Sequence, residues 1–350
     1  MLFHLGALWR LNEAGYLPEL KRISSVSGGS ITSAALGLAW SGLGFDSDGV
    51  ATRFQELVVR PIRQLAGRTI DIPAVLLALV LPIRVSEYVA RSYREVFGNR
   101  KLEDLPDPPR FVINATNLQS GALWRFSKSY MRDWRVGEVR RPQVEVAVAV
   151  AASSAFPPFL SPAIIRLRPE DFTPGSGADL QFEPYVREVF LTDGGVYDNL
   201  GLETVWKNYT TVLVSDGGGQ MAPEETPNGD WIRHTLRVLN VIDNQVRSLR
   251  KRQVIASFKA NQGTSEHRDG AYWGIRSDIS HYGLADAMNC PVDRTMALAN
   301  EPTRLSRLGQ TTQERLVNWG YAVCDAALRK HVDSRIDAPR GFPYPSSGVG

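Results

Sequence analysis

The chain has little cysteine, little net charge and no long apolar run. Its two cysteines, Cys290 and Cys324, cannot build a disulfide framework and match no zinc-binding spacing, so both are expected as reduced thiols. A net charge of +3 over 350 residues argues against a dedicated nucleic-acid binder, which would carry a strong basic excess or a dense Lys/Arg stripe. No stretch reaches the roughly 18 consecutive apolar residues of a membrane-spanning helix. Met1-Leu2-Phe3-His4 has no basic segment and no small-residue cleavage site follows, so a secretory leader is not expected. Together these absences predict a cytoplasmic protein, soluble or peripheral to a membrane.

What is present suffices for a large core. Hydrophobic residues make up 43% of the chain and charged residues 22%, an ordinary globular balance. Leu2, Leu5, Leu8, Trp9 and Leu11 fall at helical spacing, with Gly15 as a stop. Leu20 to Val26 reads as a short strand and Ile31 to Ala39 as a buried helix. Residues 43–110 differ: two amphipathic stripes, Phe54 to Leu65 and Val85 to Val96, predict a helical insertion. Short Val-rich runs follow at Phe111–Asn114, Leu123–Phe126, Val144–Val150, Val189–Leu191 and Thr211–Ser215, as strands of a parallel sheet covered on both faces would read. Ile232, Leu236, Leu239, Ile242, Val246 and Leu249 mark one face of a long helix over 231–258. A last helix is expected from Gln313 to Lys330. Residues 333–350, rich in Pro, Gly and Ser, are expected to be a disordered tail. The expectation is one α/β domain over 1–332, in three layers around a mostly parallel central sheet flanked by helices.

Chemistry concentrates in two Gly-rich turns. Ser25-Val26-Ser27-Gly28-Gly29 has the form of a nucleophile elbow, in which a sharp strand-to-helix turn presents the central serine hydroxyl. Small neighbours are needed there because strand and helix nearly collide, and Ser25 replaces the usual first glycine. The Gly28 N–H and the helix N-terminus are placed to stabilise an oxyanion beside Ser27. A serine needs a base. Asp193 in Thr192-Asp193-Gly194-Gly195 follows a short strand, but Asp216 in Asp216-Gly217-Gly218-Gly219 does too, and spacing alone does not choose between them. His234, His267 and His281 complete the Ser–Asp–His order of a triad esterase. His234 and His267 lie among charged neighbours and read as surface residues, leaving His281 as the rival base to a Ser–Asp dyad.

These residues resemble the patatin-like phospholipase family over roughly positions 2 to 330. The motifs occur in order: Phe3-His4-Leu5-Gly6-Ala7-Leu8, then Ser25 to Ser30, Asn114-Ala115-Thr116-Asn117, Ala151 to Pro157, and Thr192 to Asn199. The resemblance implies a Ser27–Asp193 dyad with support from Gly28, Gly29, Gly194 and Gly195, and it assigns Asp216 to a later strand end. It implies hydrolysis of acyl esters in phospholipids or related lipids through an acyl-enzyme, with no metal and no organic cofactor. Family members begin with a strand and a Gly-rich oxyanion loop. Here the matching helix starts at Met1, so that strand and loop are expected upstream, and without them the chain would be a catalytically impaired lipid-binding protein. The twelve apolar residues Ile72 to Ile83 fit either a membrane-facing lid or a buried helix. The basic cluster Arg247 to Arg252 reads as a solvated face, with attraction to anionic headgroups as the alternative.

Overall fold

The computed structural model describes residues 1–68, 85–157, 160–219, 221–302 and 307–350. The apolar segment Ile72–Ile83 lies outside the described residues. In chain order the principal elements are α1 (Leu2–Glu13), β1 (Arg22–Ser25), α2 (Gly28–Ala39), α3 (Arg60–Ala66) and α4 (Val85–Phe97). Strands β2 (Arg110–Asn117), β3 (Ala122–Phe126), β4 (Tyr130–Asp133) and β5 (Gly137–Arg140) precede α5 (Val146–Ser153). Then come β6 (Ala163–Arg166), β7 (Glu188–Asp193), α6 (Gly195–Asp198), α7 (Glu203–Trp206), β8 (Thr211–Asp216), α8 (Trp231–Lys259), β9 (Asp269–Gly274), α9 (Val292–Ala299) and α10 (Gln310–His331).

The expectation of a mostly parallel central sheet is overturned. The main sheet runs β5-β4-β3-β2-β7-β6 with every pair on that path antiparallel, and only β1 joins β2 in parallel. The links between β3, β4 and β5 are turns, far too short for the crossover that parallel neighbours require. Val-rich strands buried on both faces suggested a parallel sheet, but β2 is buried at every position after Arg110 while pairing mainly antiparallel, so cover by helices decided the composition. A second, two-stranded sheet joins β8 and β9 in parallel, with α8 in their connection.

Val144–Val150, expected as a strand, is instead most of α5. Val146, Ala147, Ala149 and Val150 are all fully buried, and an apolar run enclosed on every side carries no periodicity that separates strand from helix. The first and last long helices form the floor of the core. A side chain at Gly6 would come within 1.9 Å of Val317 O, and one at Gly320 within 1.9 Å of Phe3 O, so α1 and α10 cross backbone to backbone. The crossing encloses a charge chain: Arg10 Nε donates to Asp325 Oδ1 at 2.8 Å and Arg329 Nε to Asp325 Oδ2 at 3.0 Å. Buried ions of this kind persist because each is paired. The chain's end runs back along α10, where Asn318 Nδ2 donates to Tyr344 O at 2.8 Å and Gly348 O at 2.7 Å, and Val349 is buried.

Candidate active site

Strand β2 brings the two Gly-rich turns together. On its edge away from β3 it pairs first with β1 in parallel, as far as Ser25 opposite Ile113, and then with β7 antiparallel, where Asp193 lies opposite Ala115. β1 and β7 therefore run toward each other along one edge and end tip to tip at Asn114. The Asn114 side chain closes the junction, its Nδ2 donating to Ser25 O and to Ser24 Oγ, both at 2.9 Å. Gly194 is required by space, since a Cβ there would lie 2.3 Å from Asn114 O and 3.0 Å from Val26 Cγ1.

Ser27 occupies the N-cap of α2 with φ +51° and ψ −129°. A non-glycine residue in that region is strained by about 1–3 kcal/mol, so the surroundings must hold it. They do so through Ser153 at the end of α5. The Ser27 N–H is shared between Ser153 O at 3.2 Å and Ser153 Oγ at 3.1 Å, and Ser153 O also accepts from the Gly194 N–H at 3.1 Å. One carbonyl thus ties the serine turn to the aspartate turn. Beneath it runs a hydroxyl chain: Ser153 Oγ meets Ser30 Oγ at 2.9 Å, Ser30 Oγ donates to Ser25 Oγ at 3.1 Å, and Ser25 is the buried last residue of β1. Gly28 opens α2, so its N–H has no intrahelical acceptor; the Gly29 N–H is engaged by Val26 O at 2.9 Å.

Asp193 is 3% exposed. Its Oδ1 accepts from the Gly195 N–H at 2.7 Å, whereas Oδ2 is buried and receives no well-formed hydrogen bond. Burial raises the carboxyl pKa to about 6, against the Gly195 N–H and the adjacent Ser27 hydroxyl, which both pull it down. The Ser27 hydroxyl therefore reaches the carboxylate electrostatically, although the resting geometry falls short of a full hydrogen bond. Asp243 and Arg247 of α8 act on the same carboxylate from farther away with opposite signs.

Asp216 is differently occupied. Its Oδ2 accepts from the Tyr272 hydroxyl at 2.8 Å and its Oδ1 from the Gly218 N–H at 2.9 Å, so both oxygens are committed to holding the turn. None of the three candidate histidines hydrogen-bonds Ser27 or Asp193. His281 is 82% exposed and faces Asp278, His267 bonds Ala260 O and Asp269, and His234 is exposed on α8. The histidine beside the serine turn is His4, which the sequence did not single out. Its Nδ1 lies 2.8 Å from Ser215 Oγ, and a Cβ at Gly29 would be 3.9 Å from its ring. Burial lowers its pKa to about 3, which keeps the imidazole neutral.

Two further contributors lacked a local signal. Ser153 sits in a segment expected near the site, but its bridging of both turns depends on β1 and β7 converging. Tyr93 on α4 places its hydroxyl 3.1 Å from Ser154 Oγ, and burial pushes that phenol up to about 12. Among the described residues, no cluster of three or more His, Cys, Asp or Glu is arranged to hold a metal, and no helix is long and apolar enough to cross a membrane. Residues 1–206 match the family model described as Patatin-like phospholipase. A search of curated proteins finds no match.

Proposed function

From its membership of the patatin-like phospholipase family, which makes lipid acyl hydrolysis the general activity, we propose that the chain cleaves carboxylic esters of lipids with a Ser27–Asp193 dyad. The observation that carries this reading is Asp193 Oδ2, a buried carboxylate oxygen without a full hydrogen bond, at the junction where the Ser27 turn ends. A group left in that state stores a demand for a proton, and a pKa of about 6 suits a general base working near neutrality.

In the proposed reaction Ser27 Oγ attacks the ester carbonyl carbon while its proton passes to Asp193 Oδ2. The alkoxide that forms on the former carbonyl oxygen is stabilised by the Gly28 N–H at the start of α2. Its collapse breaks the bond to the alcohol, which leaves with the proton from Asp193. Water then attacks the acyl-Ser27 ester, giving its proton to Asp193, and the second collapse releases the fatty acid and returns the proton to Ser27. His4, neutral and bonded to Ser215, takes no part in proton transfer. A Ser–Asp–His route through His281 has no support from its exposed position beside Asp278.

The reading is tested with a fluorophosphonate probe and a water-soluble short-chain ester. The wild-type chain is expected to label at Ser27 and to turn over the ester. Ser27→Ala loses both, and Asp193→Asn loses turnover. Full turnover in either variant overturns the dyad.

A further inference from the structure

Ser27 sits outside the common backbone regions, at φ +51° and ψ −129°, and such a residue persists only where its surroundings over-determine it. The peptide plane before Ser27 is fixed by its N–H, which is shared between Ser153 O and Ser153 Oγ. The plane after it is fixed by its carbonyl, which accepts from the Ser30 N–H at 2.9 Å. Ser30 also reaches the first plane, because its Oγ lies 2.9 Å from Ser153 Oγ. These bonds close a ring. It runs from the Ser27 N–H through Ser153 Oγ to the Ser30 side chain, and returns from the Ser30 N–H to the Ser27 carbonyl.

The supply of protons gives the ring a direction, since each hydroxyl has one to donate. Ser30 gives its own to Ser25 Oγ at 3.1 Å, and Ser25 gives its own to Val112 O of the neighbouring strand β2 at 3.4 Å. The Ser153 hydroxyl is then the donor to Ser30 Oγ, which leaves a lone pair of Ser153 Oγ facing the Ser27 N–H. Every link donates away from Ser27, the order in which successive hydrogen bonds polarise and strengthen one another. Ser30 and Ser153 are fully buried and Ser25 is 7% exposed, so water is badly placed to replace a missing link. Ser25 stands where a nucleophile elbow usually has glycine. A glycine there would leave the Ser30 hydroxyl without its acceptor.

We infer that Ser30 and Ser25 are positioning residues for the nucleophile: the ring through Ser30 clamps both peptide planes of Ser27, and Ser25 supplies the acceptor that orients it. Both act through the backbone of Ser27, and the departure of Ser25 from the usual glycine thereby has a use. The inference rests on the Ser27–Asp193 reading for its effect on rate, but the clamp itself can be tested without turnover.

The experiment compares the full chain with Ser30→Ala, Ser25→Ala, Ser25→Gly and the double variant Ser25→Ala/Ser30→Ala, each checked for folding by thermal denaturation. On the water-soluble ester, kcat should fall about tenfold in each single variant, the scale of one buried hydroxyl left unsatisfied. KM should hold, and so should the pH of half-maximal rate, because the Gly194 N–H is bound by the carbonyl of Ser153 and not by its hydroxyl. Ser25→Gly should fall with the others although it restores the residue usual in this turn. The double variant should be no slower than the slower single one, since both changes break the same ring. Hydrogen exchange at the Ser27 amide should be slow in the wild type and about tenfold faster in each single variant. Should Ser30→Ala fail to fold, the Ser25 variants carry the same test. Full kcat in the folded single variants overturns the inference, as do losses that add in the double variant or a fall confined to KM. Unchanged exchange at Ser27 overturns the clamp while leaving the dyad untouched. A wild type that turns over no ester sinks the hydrolase reading instead, and faster exchange in the variants would then uphold the clamp on its own.

Discussion

Replacing Asp193 by Asn is expected to remove catalysis and to make the protein more stable at neutral pH. The folded-state pKa of this carboxyl is about 6 against an ordinary 3.8, and burial is the main cause. A raised carboxyl holds its proton more tightly folded than unfolded. Its contribution therefore favours folding below the unfolded pKa and is lost as pH rises through the folded value. The shift is about 2 units at ~1.4 kcal/mol each, so ionised Asp193 weakens the native state by roughly 3 kcal/mol above pH 7. Asn keeps an oxygen for the Gly195 N–H and carries no charge, and its amide can donate to the Ser27 hydroxyl. Urea unfolding of wild type and Asp193→Asn should therefore give nearly equal stability near pH 4, with the variant ahead by about 3 kcal/mol at pH 8. A gap independent of pH, or a variant less stable at pH 8, would refute the argument that an ionised and under-bonded carboxylate is held at this junction.

Further outcomes follow from the same geometry. The rate of soluble-ester hydrolysis, as kcat/KM, should rise with pH through an apparent pKa of about 6, because the base acts only when ionised; a flat profile from about pH 5 to 8 would contradict that role. Gly194→Ala would set a methyl 2.3 Å from Asn114 O and should lower stability by about 3 kcal/mol, as overpacking does, with activity falling as the two turns are pushed apart. Asp325→Ala would leave Arg10 and Arg329 buried beside an empty position. A loss of about 3–5 kcal/mol in chemical denaturation is expected, whereas a neutral result would show that water reaches the α1–α10 crossing.

The form of the two Gly-rich turns was legible from residue order because it is local. A strand, a small-residue turn and a helix dictate where Ser27 sits, and Thr192-Asp193-Gly194-Gly195 ends a strand as its apolar run and glycines imply. The sequence could not separate Asp193 from Asp216 without the family resemblance, since both follow strands and both precede glycines. The structure distinguishes them by partners: Tyr272 and Gly218 occupy Asp216, while one oxygen of Asp193 is left open.

What the sequence determined by itself was the set of short-range features: the α1 and α10 helices, the elbow form of the serine turn, and the family to which the chain belongs. Strand direction was left to tertiary structure, because a short Val-rich run reads alike in either direction and only long-range pairing chooses. The identity of Val144–Val150 was left to it too, since an apolar segment buried on all sides loses the periodicity that marks a helix. So was the convergence of β1 and β7 on Asn114, and with it the joint hold of Ser153 on both turns. That arrangement depends on two strands distant in sequence sharing one edge of β2, a relation that no local pattern encodes.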